Sequence, residues 1–312
     1  MSSAAAHPVP AQAHSGGVLA VGNFDGVHVG HQRMIEQLVA LARELGTRAV
    51  AVTFDPPPLA ILAPDRVPPQ LTTTPQKVEL IRSLGVDEVV VYPASRELLA
   101  LTAEQFFEDV LVGQLGCLGL VEGPNFRFGK GRGGDVNLLR MLCSQRKIPL
   151  VIVEACESEG TMVSSSEVRI AIGQGDVARA RSLLGRPYSI SGTVAHGAER
   201  GRLLGFPTAN LDGIETLLPS PGVYAGRTIV DGASYPVALN IGPNPTFGEE
   251  RLKIEAHLIG FTGDLYGHQV TIEFLDRLRG VQKFSDVEAL RSQLQQDIAD
   301  ATRCACSPSE KL

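Results

Sequence analysis

Residues 17–31 read GVLAVGNFDGVHVGH, and this stretch decides the fold of the first half of the chain. The short apolar run 18–22, which ends in glycine, predicts a buried strand. A polar turn follows, and apolar residues then recur at helical spacing up to Leu45. Gly46 stands where a left-handed helix stop is expected, and 49–54 is a second apolar run. Strand, helix and strand predict a βαβ unit with a right-handed crossover.

The same alternation continues along the chain. Thr102 and Gln105 have capping-box spacing, and Asp135 is placed to cap a further helix. The pattern predicts helices over 77–84, 102–115 and 135–146, and strands over 88–92, 118–121 and 150–153. Strands separated by helices indicate an α/β domain with a parallel sheet and helices on both of its faces. We expect this domain to cover residues 17–185.

After residue 186 the pattern changes to short strands and turns. Asp231-Gly232 between two such strands is a strong hairpin signal. The strands are predicted over 189–194, 223–230, 234–241, 254–259 and 270–274. They favour a small antiparallel β-barrel domain over 186–303 with a C-terminal helix from 285 to about 302. Residues 1–16 and 304–312 are expected to be a disordered leader and tail.

The composition excludes several classes of function. The formal net charge is −6, aromatic residues make up 5% and tryptophan is absent, so a nucleic-acid partner is not expected. No apolar stretch reaches the about 20 residues that span a bilayer, so no membrane partner is expected either. Five scattered cysteines indicate free thiols and a cytoplasmic protein, although Cys304 and Cys306 leave metal binding or oxidation open.

The turn after the first strand carries the first candidate site. Gly22 and Gly30 allow the backbone to approach a ligand closely, and the following helix N-terminus attracts phosphate. His28 and His31 are one helical turn apart and could both donate hydrogen bonds to a phosphoryl group. Two alternatives remain from spacing alone. The pair could be half-buried surface residues, or a metal site with Asp25 as third ligand.

The motif Gly-x-Phe-Asp-Gly-x-His-x-Gly-His resembles the signature of the nucleotidylyltransferase superfamily, and its form here resembles bacterial FAD synthetases. The resemblance implies a Rossmann-like domain in which His28 and His31 stabilise the α-phosphate of ATP while the phosphate of FMN attacks it. It further implies an ATP and phosphate site, which we assign to Gly22, Asn23, Asp25 and Gly30.

Two loops of this domain are similar to flavin-contacting segments of the family. Pro56 and Pro58 follow the second strand, and this chain has Pro57 where the family usually has histidine. The second loop carries the predicted flavin-binding residues Asn125, Phe126 and Phe128, although its aromatic residues could equally belong to the core. Its glycines at 129, 131 and 134 match a dinucleotide fingerprint only by chance, because they follow a long loop.

A serine-rich segment precedes another predicted helix. The serines could cap the helix or bind phosphate together with Arg169, which lies one turn after Ser166 on the same face. The similar family motif is Ser-Ser-Thr-x-x-Arg, so Ser166 stands where the family has threonine, and it keeps the hydroxyl. The motif favours Ser164, Ser165 and Arg169 as triphosphate ligands.

The barrel carries a second candidate site in the sequence GFPTAN, residues 205–210. Threonine and asparagine oxygens suit Mg²⁺, although an ordinary turn would explain the glycines. The motif resembles the hallmark of riboflavin kinases and implies that Gly205, Thr208 and Asn210 bind Mg-ATP. Glu255 is then the general base for riboflavin, whereas strand alternation alone would place it on a solvated face.

The two resemblances together predict a bifunctional enzyme of flavin cofactor biosynthesis. Its partners would be riboflavin, FMN, FAD and ATP, with Mg²⁺ as cofactor and ATP as co-substrate. Two hypotheses compete with it: a riboflavin kinase whose first domain is weakened by Pro57, and a non-catalytic flavin carrier. A homo-oligomer is compatible with each of them.

Overall fold

The computed structural model describes residues 16–158, 160–196, 205–244 and 249–306. The chain divides into two compact units, Met1–Val163 and Ser164–Leu312. Residues 1–15 of the expected leader and 307–312 of the expected tail lie outside the described residues. At both ends the ordered structure extends further than predicted, since Gly16 is buried and the last helix continues through Cys306.

The first unit is built on a five-stranded parallel sheet, as predicted. Its strand order is β3-β2-β1-β4-β5. The strands are β1 (Gly17–Val21), β2 (Ala49–Asp55), β3 (Glu88–Pro93), β4 (Cys117–Glu122) and β5 (Leu150–Ile152). The order reverses direction between β1 and β4, and ligands of such sheets bind beyond the carboxyl ends of the strands at this point.

Helices cover both faces of this sheet. Leu19 and Val21 pack into one apolar cluster, while Val18 and Ala20 point into the other. The helices are α1 (Val29–Glu44), α2 (Pro58–Leu62), α3 (Thr74–Ser83), α4 (Arg96–Ala100), α5 (Ala103–Gln105) with its π-helical continuation Phe106–Gln114, and α6 (Val136–Arg146). Two short strands, β6 (Glu157–Ser158) and β7 (Thr161–Met162), pair as a hairpin. Sequence periodicity missed α2, α4, β6 and β7 because each is five residues or shorter.

The second unit begins with two helices, which the sequence placed in the first domain, and continues into a closed barrel with a C-terminal helix, as predicted. Its elements are α7 (Ser165–Gln174), α8 (Val177–Leu184), β8 (Ser189–Ala195), β9 (Ala209–Asp212), β10 (Gly222–Val230), β11 (Ala233–Asn244), β12 (Glu249–Leu258), β13 (Gln269–Arg279) and α9 (Val287–Cys306). Around the barrel the order is β10-β11-β12-β9-β8-β13. At the predicted hairpin Asp231 and Gly232 both have positive φ, as a type I′ turn requires.

The two units meet between Val163 and Ser164, earlier than the boundary predicted near residue 186. The reason is that α7 is tied to the barrel. The guanidinium of Arg277 donates to the carbonyls of Gln174 and Pro221, at 3.1 Å each. A Cβ on Gly175 would lie 2.5 Å from the Ser220 hydroxyl, so only glycine fits this contact. The 185/186 boundary as a division of function stays a prediction.

A buried carboxyl at the end of β4 accepts a hydrogen bond from the backbone at the end of β1. Glu122 is 1% exposed, and its Oε1 accepts a hydrogen bond from the backbone N–H of Val21 at 2.9 Å. Burial raises its pKa well above the ordinary value of a glutamate. The neutral acid is therefore the form that the fold stabilises.

We expect Glu122→Gln to stabilise the protein increasingly as pH rises. A carboxyl whose pKa is raised by folding makes the folded protein less stable as pH rises above the pKa of that carboxyl in the unfolded chain, about 4.3. A glutamine stays neutral over this range and keeps an oxygen that accepts the hydrogen bond. Urea unfolding between pH 5 and 9 measures this. The exposed Glu36→Gln on α1 is the control, and a difference between Glu122→Gln and wild type that does not change with pH would contradict the assignment.

A buried ion pair fastens α9 to the barrel. Asp297 is 3% exposed, and Arg279 of β13 binds it through Nη2 at 2.7 Å and Nε at 3.0 Å. The amide of Gln293 donates to the same carboxylate at 2.9 Å.

We predict that Asp297→Leu destabilises the protein by about 3–5 kcal/mol, because it leaves the Arg279 charge without its partner. Asp300→Asn on the same helix removes a pair whose arginine, Arg303, is 73% exposed, and should cost at most about 1 kcal/mol. Thermal or urea unfolding compares the two. Similar losses for both would mean that the Arg279 pair does not hold the helix.

Candidate active sites

The first site lies where α1 begins. His28 is the N-cap residue of α1, and its Nδ1 accepts a hydrogen bond from the backbone N–H of His31 at 3.3 Å. The two imidazole rings are stacked, with centroids 3.6 Å apart and planes inclined by 16°. The ring of Phe24 meets His31 edge-on at 5.2 Å. The two histidines predicted to share a face are thus in direct contact.

The electrostatics of this site keep His31 neutral. Burial lowers its pKa well below the ordinary value, and the charges of His28 and Lys77 lower it further. Nδ1 of His31 is buried and finds no hydrogen-bond partner among the described residues. A neutral imidazole offers one N–H donor, which is what a phosphoryl oxygen would accept.

Gly30 lies close against the histidine pair. A Cβ at this position would lie 3.2 Å from two atoms of the His28 ring. Gly22 is less constrained, since a Cβ there would meet the Phe24 ring at 3.4 Å. That Gly22 and Gly30 contact phosphate stays a prediction, whereas the packing of Gly30 against the His28 ring is observed.

Asp25 has a positioning role that the sequence did not reveal. Its carboxylate accepts hydrogen bonds from the backbone N–H groups of Leu71 and Thr72, at 3.0 and 3.1 Å, and from the Thr72 hydroxyl. It therefore ties the turn after β1 to the segment that leads into α3. The alternative of a metal site with Asp25 gains no support, because no group of three or more His, Cys, Asp or Glu side chains suited to a metal occurs in the described part of the chain.

Lys77 of α3 is a site residue that sequence reasoning missed. It is 5% exposed, and its Nζ lies 3.4 Å from the hydroxyl of Thr53 on β2. Thr53 in turn donates to the backbone carbonyl of Asn23 at 3.2 Å. The available signal was its spacing, since Lys77 and Ile81 share the buried face of α3.

The prolines after β2 shape the start of the next helix. Pro57 is the N-cap of α2 and Pro58 is its first residue, a position that suits proline. Pro56 is exposed directly after β2. Pro56 and Pro58 therefore lie at the carboxyl edge of the sheet, as expected for a ligand loop, and their contact with flavin stays a prediction.

The second predicted flavin loop divides into exposed and buried parts. Asn125 is exposed and Phe126 is half-buried, but Phe128 lies in the apolar core between Phe126 and Phe106, with ring centroids at 5.4 and 6.3 Å. Phe128 is thus a core residue, which corrects its assignment as a flavin contact.

The glycines beside this loop also serve packing. A Cβ on Gly129 would come within 2.5 Å of the Ala103 backbone, and one on Gly134 within 2.7 Å of the Phe128 ring. Close approach of the loop to α5 explains the glycines without a dinucleotide fingerprint.

The serine-rich segment opens α7. Ser164 is its N-cap and accepts a hydrogen bond from the N–H of Glu167 at 3.2 Å. Ser165 is the first helical residue, and Arg169 follows one turn later, half-buried. The capping interpretation of Ser164 is therefore confirmed, and triphosphate binding by the three residues stays a prediction.

The second site is a row of polar side chains across three barrel strands. Glu255 of β12 is in register with Asn240 of β11 on one side and Asn210 of β9 on the other. Residues directly opposite in an antiparallel sheet share a face, so the three side chains stand side by side. All three are half-buried, while Ala256 is fully buried. Asn240 was not among the predicted site residues, although its register shows that it belongs to this row.

His257 holds the segment that precedes this row. Its Nδ1 donates to the carbonyl of Pro207 at 2.7 Å, and the Phe206 ring meets it edge-on at 6.1 Å. Gly205 has a φ of +88°, which glycine alone adopts readily, and 201–204 lie outside the described residues. Thr208 lies between Pro207 and Asn210 and is half-buried. Its hydroxyl and the Asn210 amide oxygen are hard donors of the kind that Mg²⁺ takes from a protein, and their binding of Mg²⁺ stays a prediction.

Comparison with known proteins identifies the family to which each half of the chain is similar. The FAD synthetase family model matches residues 11–167, and the riboflavin kinase family model matches 184–305. Relatives named bifunctional riboflavin kinase/FMN adenylyltransferase include those of Pseudomonas fluorescens, 37% identical over 95% of both chains, Escherichia coli K12, 36% over 93% of both, and Bacillus subtilis, 36% over 92% of both.

A solved structure extends the comparison to three dimensions. A crystal structure described as a macrolide-efflux protein from Streptococcus pneumoniae is 30% identical, with a TM-score of 0.84 over 95% of each chain. Among the described residues of the present chain, no helix is long and apolar enough to cross a membrane.

Two family models in the expected order, and relatives aligned over nearly their full length, confirm the resemblance read from the motifs. The chain therefore belongs to the family of bifunctional riboflavin kinase/FMN adenylyltransferases, with an FAD synthetase domain followed by a riboflavin kinase domain.

Proposed function

We propose that the two activities of this family are carried by two separate sets of residues in the chain. As a family member the chain is an ATP-using transferase. Adenylyl transfer belongs to His28 and His31 at the start of α1, and phosphorylation of riboflavin belongs to the barrel row around Glu255. The observation that carries the proposal is the stacked pair of imidazoles at a helix N-terminus.

In adenylyl transfer, a phosphate oxygen of FMN attacks the α-phosphorus of ATP. A new P–O–P bond forms, the bond to the β-phosphate breaks, and pyrophosphate leaves with the electron pair. Negative charge grows on the α-phosphate oxygens as this happens. Nδ1 of His28 is already an acceptor, so its proton is on Nε2, which can donate to such an oxygen. Donors aimed at developing charge are usually the largest single contribution to catalysis of this kind.

In the kinase reaction, the 5′-hydroxyl of riboflavin attacks the γ-phosphorus of ATP. Glu255 accepts the hydroxyl proton, the bond to the β-phosphate breaks, and ADP leaves. Thr208 and Asn210 would hold Mg²⁺, which neutralises phosphate charge when it is bound. The neighbouring Asn210 and Asn240 keep Glu255 in a polar row, and His257 fixes the segment that carries Thr208.

The remaining assignments extend the two sites. Asn125, Phe126, Pro56 and Pro58 are proposed to contact flavin, with Phe128 supporting them from the core. Asn23 and Gly30 are proposed to line the ATP site. The cysteines of the described residues are all unpaired, which fits the reducing cytoplasm expected from their spacing.

His28→Ala should lower FAD formation from FMN by about 10²-fold or more and leave FMN formation unchanged, because only the first site loses a donor. The two reactions are assayed separately on one protein preparation. His28→Asn is the control for the helix cap, since asparagine caps well but has no imidazole, and it should be as deficient as alanine. Equal loss of both reactions would contradict two separate sites.

Glu255→Gln should lower FMN formation by about 10²-fold or more, because a glutamine cannot accept the hydroxyl proton, and it should spare FAD formation from supplied FMN. Asn210→Ala is expected to act in the same way through loss of Mg-ATP binding. Glu273→Gln, on the barrel but outside the row, is the control and should keep the kinase. Full kinase activity in Glu255→Gln would exclude it as the base.

A further inference from the structure

Lys77 is a buried cation that the assigned mechanism does not use. It lies on the inner face of α3 and is 5% exposed, although lysine is almost never fully buried without a partner. A methionine or leucine would fill the same place without the cost of removing a charge from water. Packing alone therefore does not explain why a lysine occupies this position.

Its contacts lead from α3 to the turn after β1. Nζ lies 3.4 Å from the Thr53 hydroxyl, which donates to the carbonyl of Asn23 at 3.2 Å. On the other side of the turn, Asp25 binds the backbone of Leu71 and Thr72, just before α3. Two links thus fix the turn to α3, and Lys77 supplies one of them.

Burial lowers the pKa of Lys77, and the charges of Asp25 and Asp55 offset this in part. The charge of Lys77 also acts on His31 and, together with His28, lowers the pKa of that imidazole. Nδ1 of His31 is buried and has no hydrogen-bond partner among the described residues.

We propose that Lys77 is a positioning residue of the adenylyl-transfer site, which holds Asn23 in place through Thr53 and presents a buried positive charge to the paired imidazoles. This rests on the function proposed above for His28 and His31. A fixed charge in a site of low dielectric needs no reorganisation when negative charge develops on a phosphate, and it helps to lower the pKa of His31.

The test compares Lys77→Met, Lys77→Arg and Thr53→Val. Lys77→Met should reduce kcat/KM for FAD formation by about 10²-fold, as expected when a site loses its alignment. FMN formation by the same chain should be unchanged, and thermal unfolding of the variant serves as the control for folding of the first unit. Lys77→Arg should recover most of the lost activity, because it restores a cation and a donor. Thr53→Val breaks the link to Asn23 but keeps the charge, so it should lose activity as well.

A histidine titration by NMR separates charge from alignment. In Lys77→Met the pKa of His31 should rise, and in Thr53→Val it should stay as in the wild type. An unchanged His31 pKa and unchanged FAD formation in Lys77→Met would overturn the inference, and so would a parallel loss of both activities and of thermal stability. A wild-type protein that makes no FAD from FMN would instead overturn the proposed function, and the titration would still report the charge effect.

Discussion

The arrangement of the two histidines at the start of α1 depends on one hydrogen bond, from the backbone N–H of His31 to Nδ1 of His28. Most helices of this chain whose cap is made by a side chain use serine, threonine or aspartate, and here an imidazole takes that place. The bond sets the orientation of the first ring, leaves its proton on Nε2 and allows the second ring to stack on it. A Cβ at Gly30 would lie 3.2 Å from the His28 ring, so a side chain there would require the neighbouring atoms to shift by a few tenths of an ångström.

The two units bring their polar site residues together in different ways. In the parallel sheet the site forms beyond the strand ends, where loops from β1 and β2 meet the segment before α3. In the barrel the register of neighbouring strands aligns Asn240, Glu255 and Asn210. A register slip of one residue would turn Glu255 into the barrel and Ala256 outward, so closure of the barrel and formation of the site are the same event.

The sequence predicted what depends on local pattern. The capping boxes, the Asp231-Gly232 hairpin, the alternation of strands and helices and the meeting of His28 with His31 all follow from spacing along the chain. Sequence reasoning failed where the role of a residue depends on contacts between segments that are far apart in the chain. Asp25 and Lys77 acquire their roles from residues far away in the chain, Phe128 is drawn into the core by Phe106, and α7 joins the barrel through Arg277.

The distribution of buried polar groups supports a functional origin for these features. In the described part of the first unit the buried polar or charged side chains are His28, Thr53, Thr72, Lys77 and Glu122. Each touches the strand ends or the turns that follow β1, β2 and β4. Burying such groups costs stability that apolar residues would not. Stability alone does not account for polar residues gathered at one edge of the sheet, whereas the adenylyl-transfer site proposed there does.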